Sequence, residues 1–144
     1  MMHFKQLKDL PSIDVHQELE QMLHNNVLSW QHMNQICINA TPDNDSPYAG
    51  VGSLDLDWAR ASETENGVHV PKRETALREQ DFTKLCSVFA GTQFEQLYTA
   101  LTNDYTVGRV RLMRTNPRYA MSWHYDYNNR IHYPIKTQFG CYMV

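Results

Sequence analysis

His124 and Asp126 form an H-x-D triplet in a stretch rich in aromatic and β-branched residues. An imidazole and a carboxylate are donor types that hold a divalent metal while leaving coordination positions open. Residues two apart on a strand project to the same side, so an extended segment can aim both at one ion. The triplet alone is weakly informative. Seven histidines and sixteen acids in 144 residues give about one such triplet by chance. A second triplet, His16-Gln17-Glu18, falls in a predicted helix, where positions two apart diverge, and reads as solvated helix surface. Asp55 and Asp57, followed by Trp58, form a D-x-D pair of a kind that can hold a divalent cation. Their loop-rich setting makes solvated carboxylates the plainer reading.

The residues after Asp126 add more. Tyr127-Asn128-Asn129 has the composition of a hairpin turn, because Asn tolerates left-handed backbone. The sequence then reads Arg130-Ile131-His132-Tyr133-Pro134-Ile135. On a strand, alternation puts Arg130 and His132 on one face and Ile131, Tyr133 and Ile135 on the other. A cationic pair beside H-x-D suits a dicarboxylate ligand. The plain alternative is an exposed polar face with Arg130 paired to Asp126. Upstream, Arg109 and Arg111 alternate with Val110 and Leu112, as a strand facing a polar pocket would. Together with Arg114, Arg118, Tyr119 and Trp123 they could instead form a basic aromatic face for nucleic acid. Thirteen basic against sixteen acidic residues leave a net charge of -3, which argues against that partner.

Positioning these groups falls to a short list of elements. Ser12 is a candidate N-cap for a helix running to about His24, with Ile13, Val15, Leu19, Met22 and Leu23 near one face. Gln35 to Ala40 reads as a short extended stretch. Residues 41–72 are rich in Asp, Asn, Ser, Gly and Pro and read as long loops, with one short strand near 51–56 and a composition that permits a lid. Residues 81–89 and 92–102 read as two helices separated by Gly91. From Asp104 the period changes, and 107–113, 119–125, 130–136 and 139–144 read as successive strands. Helices first and strands second imply an α+β or mainly-β domain.

The segment from Gly108 to Thr137 (an Arg-rich strand, a Pro-containing turn, H-x-D, a short turn, then R-x-H-x-P-I-x-T) resembles the aspartyl/asparaginyl β-hydroxylase-like branch of the 2-oxoglutarate/Fe(II)-dependent oxygenases. The resemblance covers about residues 105–144. It implies a double-stranded β-helix of the cupin, or jelly-roll, type. Residues 1–102 would be a helical, loop-rich flank and 103–144 the first strands of the core, within a single domain. It also implies Fe(II) held by His124 and Asp126, and 2-oxoglutarate or substrate bound by Arg130 and His132. The implied substrate is a small acid or a protein side chain. The family pattern places a third ligand histidine and a carboxylate-gripping arginine some tens of residues further on. Twelve residues follow His132, and none is histidine. Three expectations follow: an incomplete reading frame, a homodimer that completes the sheet by pairing open edges, or a non-catalytic cupin-like module that binds a carboxylate or a protein partner without metal.

Composition frames all three. Hydrophobic residues make up 42% and charged residues 20%, as in an ordinary globular domain. No apolar run is long enough for a bilayer, and the first ten residues lack a signal-peptide apolar region, so a cytoplasmic protein is expected. Cys37, Cys86 and Cys141 form no C-x-x-C pair, so three reduced and largely buried thiols are expected.

Overall fold

The computed structural model describes residues 5–30, 34–54, 75–120 and 128–141, and all statements below concern these. His124, Asp126, Trp123 and the Asp55/Asp57 pair lie outside the described residues. In chain order the elements are α1 (His16–His24), β1 (Gln35–Cys37), β2 (Asn39–Ala40), β3 (Lys84–Leu85), α2 (Gln93–Asp104) and β4 (Arg111–Met113). Two single 3-10 turns, Glu79–Asp81 and Ser87–Phe89, bracket β3. No helix among the described residues is long and apolar enough to cross a membrane.

Residues 34–41 are the spine. β1 pairs antiparallel with β4, Ile36 opposite Leu112. After a kink at Ile38 the chain continues as β2, which pairs antiparallel with β3, Asn39 opposite Leu85. Ile38 bridges the two pairings. Its N–H donates to Val110 O at 2.9 Å, and its carbonyl accepts from Cys86 N at 2.9 Å. The spine is apolar enough to sit inside: Ile36, Cys37, Ile38 and Ala40 are all buried. Gln35, Asn39 and Thr41 are its buried polar side chains, and Asn39, with no exposure at all, is fully satisfied. Asn39 Nδ2 donates to the carbonyls of Phe82 (3.0 Å) and Gly108 (2.8 Å), and Oδ1 accepts from Val110 N (2.7 Å).

Both helices lay an apolar stripe on this spine. α1 contributes Leu19 and Met22, with Val15 just before it; α2 contributes Phe94, Leu97 and Leu101. These join Leu28, Ile36, Ile38, Cys86, Phe89 and Leu112 in one core cluster. Phe89 and Phe94 pack with ring centroids 5.2 Å apart in a tilted arrangement. Thr92 caps α2 by accepting from Glu95 N. Glu18 of α1 accepts from Gln93 N at 2.6 Å, so a carboxylate sits at the start of α2 where the helix dipole favours it.

Several expectations change. Ser12 does not cap α1: the helix begins at His16, whose N–H is held by Asp14 Oδ1 at 3.0 Å. Residues 81–89 are not a helix. Their backbone is spent on the neighbouring strand, Thr83 N reaching Ala40 O and Cys86 N reaching Ile38 O. No strand forms within 51–54 or within 128–141. The latter segment runs irregularly against α1. Tyr133 Oη donates to Ile13 O (2.8 Å) and accepts from Ile13 N (3.0 Å), and Lys136 Nζ lies 3.6 Å from Glu20 Oε1. The described residues thus hold two small antiparallel sheets and two helices, and an eight-stranded β-helix is not traced among them.

Candidate site: an arginine cluster on the Gln35 strand pair

The extended run 109–112 alternates as its sequence suggests. Leu112 is buried in the core and Val110 packs against it, which leaves Arg109 and Arg111 for the opposite face. The two arginines meet different environments. The Arg109 side chain is only 4% exposed and is fully engaged. Its Nε and Nη2 donate to both oxygens of Glu79, at 3.2 and 2.9 Å, in a two-pronged ion pair. Its Nη1 donates to the carbonyls of Gly50 and Gly52, the latter at 2.7 Å, and the guanidinium lies 5.9 Å from the Phe82 ring centroid. Arg109 therefore ties the loop at Gly50–Gly52 and the turn at Glu79 to the sheet. It is not available to a phosphate backbone.

Arg111 is half-buried and rests on a neutral group: Nη1 donates to Gln35 Oε1 at 2.9 Å. That oxygen also accepts from Gly52 N at 3.0 Å, which fixes which way the Gln35 amide points. Among the described residues no carboxylate pairs with Arg111. Burial, then repulsion from Arg109, pull its pKa down to about 10; Glu79 opposes the shift and Arg130 adds to it. The guanidinium is still charged at neutral pH.

Arg114 does neither job. Its guanidinium lies 5.0 Å from the Trp30 ring centroid and bonds Asn34 Oδ1.

Arg130 and His132 are both exposed, while Tyr133 and Ile135 are partly buried against the core cluster. The expected two-faced alternation thus holds for these four residues without a strand. Ile131, expected on the apolar face, is 42% exposed. The second triplet is divided: Glu18 caps α2, while His16 Nε2 sits 3.3 Å from Glu20 Oε1 without hydrogen-bond geometry. No group of three His, Cys, Asp or Glu that could hold a metal occurs among the described residues. Sequence reasoning missed Gln35 and Glu79. A Gln opening an apolar strand, and a Glu in a polar turn, carry no local mark of an arginine partner.

Comparison with known protein families, with curated proteins and with solved structures finds no match to this chain.

Proposed function

We propose that the chain carries the core of a 2-oxoglutarate/Fe(II)-dependent oxygenase of the hydroxylase type, on a partial double-stranded β-helix. His124 and Asp126 would be two of the metal ligands, and Arg130 and His132 the carboxylate-binding pair. The observation that carries this reading is the side on which R-x-H faces. Tyr133 and Ile135 turn to the core while Arg130 and His132 stay accessible, as a carboxylate-binding pair would need to be. The donor types fit the metal: an imidazole and a carboxylate two residues apart suit Fe(II) with open positions. When bound, iron and 2-oxoglutarate supply the oxidising power that hydroxylates an unactivated C–H bond. The chain's own part is to bind and orient carboxylates through Arg130 and His132. The substrate class consistent with that strip is a small acid or an acidic protein side chain.

The test is an anaerobic titration of the 144-residue chain with Fe(II) and 2-oxoglutarate, followed by the visible charge-transfer band of the chelated metal. The expected result is a band that His124→Ala removes. Stoichiometric iron retained by His124→Ala overturns the ligand assignment. The cationic strip also supports a second reading: a non-catalytic module that takes a carboxylate ligand or protein partner without metal. Carboxylate binding unaffected by a chelator, with no band, selects that reading.

A further inference from the structure

We infer that Arg111, held in place by Gln35, is a carboxylate-binding residue whose counter-charge is supplied by a ligand. The assignment rests on a contrast between two arginines two residues apart on one extended face. Arg109 has a carboxylate on its fork and two backbone carbonyls on its remaining nitrogen. Arg111 has one neutral amide oxygen. Glu79, the nearby acid, bonds Arg109 through both oxygens and reaches Arg111 only as a through-space charge, with no ion pair between them.

A guanidinium carries five N–H donors in a rigid planar fork that matches a carboxylate edge to edge. One bond to Gln35 aims that fork, and among the described residues its other donors have no acceptor. Gln35 is itself fixed, being 5% exposed and bonded to Gly52 N, so it serves as a rigid stop behind the arginine. A half-buried charge with no carboxylate bonded to it among the described residues is stabilised by an anion that enters beside it. Arg109, two residues away on the same face, repels Arg111 and adds to the local positive potential. An anion entering here relieves both burdens. A single aimed fork backed by a neutral amide suits a planar carboxylate better than a tetrahedral phosphate. The assignment requires no metal, so it stands under either functional reading above and fails separately from them.

The test uses the full chain in chelator-containing buffer, with 2-oxoglutarate, succinate, N-acetylaspartate and inorganic phosphate as probes. Binding is followed by calorimetry and thermal shift. The wild type is expected to bind at least one carboxylate more tightly than phosphate. Preference for 2-oxoglutarate marks a cosubstrate subsite, and preference for N-acetylaspartate marks a substrate subsite. Arg111→Lys, which keeps the charge and loses the fork, should weaken that binding about tenfold. In a chain whose exposed strip is removed by Arg130→Met and His132→Ala, Arg111→Met should abolish the remaining carboxylate binding, and on its own it should leave the melting temperature of the ligand-free chain unchanged or higher, because no ion pair to a described residue is lost. Carboxylate binding in the strip-less chain that survives Arg111→Met overturns the inference. So does a wild type that binds none of the carboxylates, or that binds phosphate equally well.

Discussion

Arg109 and Glu79 show what charge pairing does inside this molecule. The arginine is almost wholly buried, so its charge depends on Glu79. Glu79→Gln keeps the shape and removes the counter-charge, and should destabilise the fold by about 3 kcal/mol, read as a drop in urea midpoint. The thiols separate by burial in the same way. Cys37 and Cys86 are buried and Cys141 is exposed. Burial pushes the Cys86 thiol up to about 12 from 9.0, with Cys37 and Asp45 adding to the shift. A disulfide reagent should therefore modify Cys141 at once and the other two only on unfolding. The sign of the pH effect follows. The folded state holds the Cys86 proton more tightly than the unfolded chain. Its contribution is fully present below about pH 9 and is lost as pH rises towards 12. An alkaline melting series on Cys86→Ser should lack that part of the decline.

At the scale of elements, the spine depends on one amide. Asn39 Nδ2 donates to two carbonyls and Oδ1 accepts from Val110 N, so the side chain joins β2 to the segments on both sides. Asn39→Asp replaces the donor with an oxygen facing two carbonyls in a dry site, and should cost about 3 kcal/mol or more by chemical denaturation. Asn39→Ala, which leaves the same backbone groups unpaired without a charge, should cost less. This junction also shows why some elements were legible in the sequence and others not. α2 was readable because Phe94, Leu97 and Leu101 keep helical spacing behind a Thr cap. Phe82, Cys86 and Phe89 keep that spacing too, and all three are buried. Yet the segment forms β3 and two 3-10 turns, because the spine offers hydrogen bonds to Thr83 and Cys86 that a helix would have to satisfy internally. Periodicity reports which residues are buried; the partner that buries them is non-local and decides the backbone. The inward and outward sides of 109–112, and of Arg130, His132, Tyr133 and Ile135, were legible for the same reason, whereas Gln35 as the partner of Arg111 and the exposure of Ile131 were not.

Across the whole molecule, the decisive contact joins the two ends of the described chain. Tyr133 Oη exchanges two hydrogen bonds with the backbone of Ile13, across 120 positions of sequence, and Tyr133 and Ile135 pack on the core that α1 and α2 share. The segment carrying Arg130 and His132 is thereby fixed to the residues that lead into the N-terminal helix rather than to a strand ladder among the described residues. Long-range ties of this kind make unfolding cooperative, since the exposed strip cannot come free without exposing core surface. Far-ultraviolet circular dichroism, reporting α1 and α2, and a spectroscopic label on Cys141, reporting the 128–141 segment, should therefore melt together. Tyr133→Phe leaves the Ile13 N–H without its acceptor in a partly buried site and should cost about 1 kcal/mol. Because Tyr133 and the exposed pair share one short segment, the same substitution should also loosen Arg130 and His132. If the proposed strip binds carboxylates, its affinity should then fall along with stability, while any binding at the proposed Arg111 site, which Gln35 and Gly52 hold independently, should be retained. Equal loss at both proposed places would mean that they do not respond independently.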